Sequence, residues 1–383
     1  MRPKSTLYKL HSAKFNHRLL RTSGRGTTDH AVGQRLDRMV RSLIVTTQKN
    51  EGAFLLEWLA HHKSVGFTDI LVYSNDCEDG NDAMLDRLQE MGELTHIRND
   101  GPYDDRGIQF TALKHAETHP LVQDADWIIS IDVDEFVNIH VGDHTLSALY
   151  AALPDADAIA ITWRLFGNNG IIEYRDRFIT EQFVRAAPKI MYWPWRAFMI
   201  KTLYRNTGAY KKLGVHRPRS PDKSQAPHTK WVNGSGDVLP NVFKTKRLFS
   251  DYSVDNYQMV QMNHYPLGSM HSFILKTLRG RSGTSYQPLN MDYWCDRNFC
   301  TDDDKSILSL NAPTRDRFDA YRADPVLGPL HDAAVAWRAA KLETALADEE
   351  TRALLGRLMI TPPSQPMPAR FAHNLRQFSP NTP

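Results

Sequence analysis

Trp127-Ile128-Ile129-Ser130-Ile131-Asp132-Val133-Asp134-Glu135-Phe136 is a short apolar run that breaks abruptly into carboxylates, and its reading decides the fold. An uninterrupted apolar stretch of this length suits a strand covered on both faces, as in a parallel sheet. Asp132 and Asp134 then stand at its carboxyl end, the edge where ligands bind in open α/β sheets. Two carboxylates one residue apart can hold a divalent cation that keeps its other positions for water and phosphate oxygens. The plainer alternative is a strand followed by a turn in which aspartate caps the next element.

Upstream of this run the pattern repeats in short units. Leu43 to Thr47, Ile70 to Ser74 and Leu94 to Ile97 read as buried strands. Between them, Ala53 to Val65 and a stretch bearing Met84, Leu85, Leu88 and Met91 have helical spacing, and Gly66 and Gly92 are natural stops. Gly107 to about His119 reads as a third helix before the strand that leads to Asp132. The order β-α-β-α-β-α-β calls for right-handed crossovers and a parallel sheet. The polar turns after Thr47, Ser74 and Ile97 therefore share one sheet edge with Asp132 and Asp134, and a nucleotide lying across that edge meets all of them.

The chain has 383 residues, 41% hydrophobic and 24% charged, an ordinary globular composition for one large domain or two. No segment approaches the roughly 18 consecutive apolar residues of a membrane span, and the first ten residues have no apolar core of signal-peptide type. A cytoplasmic protein is the expectation, with reduced and incidental thiols at Cys77, Cys295 and Cys300. The net charge of +3 is uneven: Met1 to Arg41 carries ten Lys and Arg against Asp29 and Asp37. This basic arm, 1–38, reads as a disordered extension, with peripheral contact to anionic lipid at the inner membrane face or an organelle transit peptide as alternatives. Nucleic acid is not expected as a partner.

After Phe136 the pattern changes. Thr145 to Leu153 reads as a helix, Ala158 to Trp163 as a strand, Phe178 to Arg185 as another strand, and Gly208 to Pro240 as a long loop. Tyr192, Trp193 and Trp195 beside Lys189 and Arg196 suit either a sugar acceptor or core packing. The composition turns helical beyond Cys300, and 361–383 is rich enough in Pro and Asn to be disordered. Asn263-His264-Tyr265, followed by Lys276 and Arg279 one helical turn apart, supplies what the acidic pair lacks. An imidazole can complete a carboxylate site for manganese, and two cations can neutralise a departing diphosphate. His216 rivals His264 for the imidazole role.

Several motifs in order resemble a branch of the family-2 glycosyltransferases. They are Asn50-Glu51 with Glu57-Trp58 and His61-His62; Asn75 with Asp79-Gly80; Gln109; Asp132-Val133-Asp134-Glu135-Phe136; Trp163-Arg164-Leu165-Phe166-Gly167; and Asn263-His264-Tyr265 through Lys276 and Arg279-Gly280. The resemblance covers roughly Leu43 to Gly280 and departs at Cys77 and Asn81, where the family usually has Ser and Thr. It implies a GT-A type α/β fold over 39–298, with a nucleotide-binding half at 39–137 and an acceptor-binding half at 138–298; the helical extension at 299–360, read from composition, falls outside the resemblance. It also implies inverting transfer of a hexosyl group, as in polysaccharide biosynthesis. The donor is a nucleotide-diphospho-sugar, with UDP the expected nucleotide, and the acceptor is glycan or lipid-linked. Asp134, Asp132 and His264 would hold Mn²⁺ or Mg²⁺. Thr46, Asn50, Glu51, Asn75, Asp79, Gln109 and Asp132 would line the nucleotide-sugar, with Lys276 and Arg279 on the diphosphate. Glu181 would be the general base, with Glu173 and Asp176 as rivals. A metal-dependent phosphodiesterase or nucleotidyltransferase, and a non-catalytic nucleotide-sugar or glycan-binding module, are the competing readings.

Overall fold

The computed structural model describes residues 39–103, 105–279 and 289–377; the basic arm and Gly280 lie outside them. The first half follows the expected alternation: β1 (Ser42–Gln48), α1 (Gly52–Val65), β2 (Asp69–Ser74), α2 (Asn81–Glu90), β3 (Thr95–Arg98), α3 (Ile108–Ala116), α4 (Pro120–Asp124) and β4 (Trp127–Ser130). Gly66 closes α1 at φ 109°, a left-handed conformation that suits a residue without Cβ. These four strands are parallel in the order β3-β2-β1-β4. Successive crossovers run from β1 outward to β3, and β4 then pairs on the other side of β1. The crevice between the carboxyl ends of β1 and β4 is thus a topological switch point.

Alternation along these strands distributes the apolar side chains to both faces. Ile44, Val72 and Ile129 meet Leu55 and Leu59 of α1 and Leu85 and Leu88 of α2. Leu43, Val45, Leu71, Tyr73 and Ile128 meet Ala112, Leu113 and Ala116 of α3. Each large buried side chain of this kind stabilises the fold by roughly 1.5–3 kcal/mol.

The second half extends the same sheet with strands of mixed direction. It runs β5 (Glu135–Ile139), α5 (Leu146–Ala152), β6 (Ala158–Leu165), α6 (Ile179–Gln182), β7 (Arg185–Ala186), β8 (Ile200–Arg205), β9 (Tyr210–Lys212), β10 (Arg219–Pro221), β11 (Trp231–Asn233) and β12 (Val260–His264). The main sheet continues β4-β8-β6-β12-β5, with β11 beside β6. The α/β class and the mostly parallel central sheet flanked by helices are as expected. Two local expectations are corrected. Phe178 to Arg185 is not a strand but the short helix α6 and, at Arg185, the first residue of β7, because the Glu57 carboxylate accepts the Ile179 and Thr180 amides at 2.7 and 3.1 Å and starts a helical turn there. The stretch from Gly208 to Pro240 is not one loop, because β11 pairs in register with Ala158, Ile159 and Ala160 of β6.

Beyond Arg279 come α8 (Met291–Cys295), β13 (Asp302–Asp303), α9 (Asn311–Ala323), α10 (Leu327–Ala345), α11 (Glu349–Ile360) and α12 (Ala369–Gln377), with α7 (Met270–Arg279) before them. From Val40 onward the chain forms one unit. Helices α9 and α10 pack on α1, and α10 also packs on α2 and α7, so the helical extension packs directly on the first half of the sheet domain. Within the stretch expected to be disordered, α12 is helical, and the Ser364 amide donates to the Asn298 carbonyl at 2.8 Å. No helix among the described residues is long and apolar enough to cross a membrane.

Candidate active site

The acidic motif is a turn between β4 and β5, closed by the Glu135 amide donating to the Asp132 carbonyl at 3.1 Å. Its position is fixed from beneath by α1. The Trp58 indole N–H donates to the carbonyls of Asp132 and Glu135 at 3.2 and 3.0 Å, the His61 ring bonds the Val137 carbonyl at 2.8 Å, and the Val137 amide donates to His62. The Trp58, His61 and His62 side chains are buried, so they brace the turn and do not face a ligand. Burial lowers the His61 imidazole to about 4, which keeps the ring neutral in its bond to the backbone.

Strand register brings the distant histidine to this turn. β12 runs antiparallel to β5 with His264 opposite Glu135, and the Tyr265 amide donates to the Asp134 carbonyl at 2.8 Å. His264 Nε2 then stands 3.7 Å from Asp134 Oδ1, while Lys276 Nζ from α7 is 2.7 Å from Asp134 Oδ2. Burial alone would raise the Asp134 carboxyl; Lys276 and His264 outweigh it and hold the group well below its ordinary value. The same carboxylate raises Lys276 against the opposing effect of burial. Burial lowers His264, only partly offset by Asp134. Its Nδ1 is buried without a hydrogen-bond partner.

Asp132 points elsewhere. It accepts from Gln109 Nε2 at 3.3 Å and from Lys201 Nζ at 3.2 Å. Lys201, on β8 and 1% exposed, also lies 3.0 Å from Glu135. Glu135 is fully buried, accepts the Trp163 indole N–H at 2.6 Å and caps the Asp132 amide at 2.8 Å. Burial pushes the Glu135 carboxyl up, opposed by the Lys201 ammonium and reinforced by the nearby charges of Asp132 and Asp134, while Asp132 and Glu135 together keep Lys201 protonated. Lys201 was absent from the sequence expectations. No local signal marks it, because only the antiparallel insertion of β8 between β4 and β6 carries it under the acidic turn. His216 is also close, its ring 5.7 Å from Trp163, whose own ring is 4.2 Å from His264. Its Nδ1 bonds the Ile200 carbonyl, and burial lowers it to about 3.

A cavity of about 170 Å³ opens over the β1/β4 crevice, lined by Lys49, Asn50 and Glu51 after β1, by Asp134, by Lys276 and Arg279 of α7, and by residues of α10. Arg279 donates to the Lys49 carbonyl at 2.7 Å and pairs with Glu51. Of the other expected nucleotide contacts, Asn50, Asp79 and Asn75 are engaged within the protein and Thr46 is not. Asn50 Oδ1 accepts the Glu78 amide at 2.7 Å, and Asp79 accepts the amides of Gly52 and Asn81 at 2.8 and 3.0 Å. Asn75 bonds Asp76, and Thr46 is buried with a hydroxyl that has no partner. Cys77 packs in this turn, and burial pushes its thiol up to about 12. Glu181 is not brought to the cavity: it is bound by Asn311 at 2.8 Å and Arg315 at 2.6 Å beside a separate depression. Of its rivals, Asp176 bonds His331 and Glu173 lies beside Arg175.

Whether these residues suit a divalent cation can be judged from the donor set. Asp134 Oδ1 and His264 Nε2 are separated by a distance that one ion can bridge, and Mg²⁺ or Mn²⁺ commonly takes one or two protein ligands with phosphate and water for the rest. The fit requires Lys276 to yield its hold on Asp134. Asp132 is engaged by Lys201 and Gln109, and among the described residues no three His, Cys, Asp or Glu side chains gather as a ligand set.

Residues 45–234 match the model of Glycosyltransferase family 92. The motif resemblance above pointed to family 2; the class, glycosyltransferase, is common to both. A glycosyltransferase family 92 protein of Ricinus communis is 25% identical over 161 residues, covering 40% of this chain and 28% of that protein. One from Oryza sativa subsp. japonica is 25% identical over 161 residues, covering 40% and 26%. The chain thus spans under a third of the length of these relatives. Among solved structures, S. aureus TarS overlaps with a TM-score of 0.27 at 14% identity, covering 43% of this chain and 28% of that one. HddC from Yersinia pseudotuberculosis gives 0.26 at 10%, covering 49% and 86%.

Proposed function

We propose that this chain is a GT-A type glycosyltransferase that moves a hexosyl group from a nucleotide-diphosphate donor, a UDP-sugar, to a hydroxyl of a glycan or lipid-linked acceptor with inversion at the anomeric carbon. One observation carries the reading. A single cavity over the β1/β4 switch point is lined by Asp134, Lys276, Arg279 and Glu51, while His264 abuts the same carboxylate from β12. Switch-point crevices favour nucleotides, and the match of residues 45–234 to a glycosyltransferase family supports the sugar.

Asp134 and His264 would hold Mn²⁺ or Mg²⁺, with Asp132 reaching it through water. Bound there, the cation would act as a Lewis acid that stabilises charge on the departing diphosphate. Lys276 and Arg279 would bind the diphosphate oxygens, since both ammonium and guanidinium stay charged and reach the same space. Glu51 would hold Arg279 in position, and the buried Lys201 would fix the orientation of Asp132.

The test is donor breakdown without acceptor, run on a panel of nucleotide-diphospho-sugars with and without Mn²⁺. Metal-dependent release of free sugar with nucleoside diphosphate is the expected outcome. Release of nucleoside monophosphate instead would make the chain a phosphodiesterase or nucleotidyltransferase, and saturable binding without breakdown would make it a binding module.

A further inference from the structure

Helix α10 lies outside the stretch that matches the family, yet it forms one wall of the cavity through Trp337, Arg338 and Lys341. It reaches that position through a close approach to α1. A Cβ at Gly52 would come within 2.9 Å of the Ala334 Cβ, so the bare glycine lets the two helices meet. One turn beyond Ala334, Arg338 extends between two aromatic rings, its guanidinium 4.5 Å from the Phe54 centroid and 4.8 Å from the Tyr174 centroid. The side chain is 5% exposed. Nη2 donates to the Ser272 hydroxyl at 3.1 Å, and Nε is buried with no acceptor.

The other cations of the lining are answered. Lys276 has Asp134, Arg279 has Glu51, Lys341 has Glu78 at 2.9 Å, and Lys49 lies 3.8 Å from Asp76. Among the described residues Arg338 pairs with no carboxylate, although removing a charge from water without a counter-charge costs several kcal/mol. Of the five Lys and Arg side chains of the lining, four thus meet Asp76, Asp134, Glu51 and Glu78, and the surplus positive charge is that of Arg338. A planar guanidinium with N–H groups left over is the side chain best shaped to clasp a phosphate.

We infer that Arg338 is a phosphate ligand of this cavity, so that the C-terminal helices supply part of the anion-binding site. The inference rests on the cavity being the nucleotide-diphosphate site. Arg338 clasps a phosphate oxygen through Nε and its remaining N–H groups. The Phe54 and Tyr174 rings hold the guanidinium plane, which limits the rotamer freedom lost on binding.

The full chain is titrated with inorganic pyrophosphate, metal-free, by calorimetry, alongside Arg338→Gln and Arg338→Lys. Wild type should bind pyrophosphate, Arg338→Gln should bind it roughly 10- to 100-fold more weakly, and Arg338→Lys should fall between, with unfolding temperatures near wild type. Unchanged pyrophosphate affinity in a folded Arg338→Gln overturns the inference, as does the absence of pyrophosphate binding to wild type. Should Arg338→Gln not fold, unchanged affinity in Arg338→Lys overturns it equally, because the fork and the ring stacking are lost while the charge is kept. Repeating the titrations with UDP and with glycerol 3-phosphate separates a donor phosphate from a phosphorylated acceptor; an Arg338-dependent affinity for either supports the assignment. Arg338-dependent pyrophosphate binding with no breakdown of any nucleotide-sugar leaves this inference standing and removes the donor reading. Donor breakdown with pyrophosphate binding indifferent to Arg338 does the reverse.

Discussion

The two walls of the cavity use their polar groups in opposite ways. On the sheet side, Asn50 and Asp79 spend their oxygens on the amides of Glu78, Gly52 and Asn81, tying the turn after β1 to the turn after β2. On the helical side, Lys276, Arg279 and Arg338 reach the cavity with charged groups from α7 and α10. Both walls hold residues of the kind that bind nucleotides, but the sheet-side oxygens of Asn50 and Asp79 are spent on backbone amides, whereas Arg338 on the helical side keeps an Nε with no acceptor. On the proposed reading the sheet edge is a scaffold that positions Glu51 and the acidic turn, and an anion would draw its binding energy mainly from the wall opposite.

The largest effect should follow from Asp134, the sheet-side carboxylate that meets both Lys276 and His264. Asp134→Asn keeps the shape of the side chain but removes the charge that holds Lys276 and His264. Metal-dependent donor breakdown should fall roughly 100- to 1000-fold, with the fold retained by circular dichroism. Turnover within a fewfold of wild type would erase the distinction between the walls. Asp79→Ala is the converse experiment. Two buried amides lose their acceptor, at a cost of about 1–3 kcal/mol in urea unfolding, while donor affinity per folded molecule should hold. A variant of wild-type stability with weakened donor binding would move Asp79 from scaffold to ligand contact.

Much of this architecture is legible in the sequence where the interactions are local. Strands β1 to β4 are short β-branched or apolar runs separated by amphipathic helices that stop at glycines, so their parallel order and shared edge follow from spacing. The meeting of Asp134 with His264 and Lys276 rests on a motif pattern and not on any local rule, because it depends on the register of β12 against β5. Three features escape a linear reading for the same reason. Lys201 comes from an antiparallel strand inserted beside β4, the helix at Ile179 is started by Glu57 from α1, and Arg338 arrives on a helix beyond the recognisable motifs. Asn50 and Asp79 teach the opposite lesson: their residue types suit a nucleotide edge, but the sequence does not show that oxygens of both accept backbone amides.

Glu57 tests how far the scaffold is sensitive to pH. Burial pushes its carboxyl up to about 7, against the lowering effect of the Ile179 and Thr180 amides and the Thr180 hydroxyl. A raised folded-state value means that the proton is held more tightly folded than unfolded. The stability it contributes is full below the unfolded value near 4.5 and is lost as pH rises through about 7. Unfolding free energy should therefore decline across that window by at most about 1.4 kcal/mol per pH unit from this group, and Glu57→Gln should flatten the slope. A slope unchanged in the variant would assign the pH dependence elsewhere.

The smallest effect is expected at Glu181, and it bears on which face of the molecule receives the acceptor. An acceptor base must lie within about 3 Å of the hydroxyl it deprotonates, directly or through one water. Glu181 instead accepts from Asn311 and Arg315, and that pair lowers its carboxyl against a desolvation effect that would raise it. A carboxylate so held is a poor proton acceptor, and a half-exposed ion pair contributes little to stability. Glu181→Gln should leave transfer within about twofold of wild type and stability within about 1 kcal/mol. A loss of 100-fold or more in transfer, with donor hydrolysis preserved, would instead mean that α6 turns its acid toward the acceptor when substrates bind. The depression lined by Arg315 would then belong to the active site, and the cavity's second wall would extend from α10 to α9.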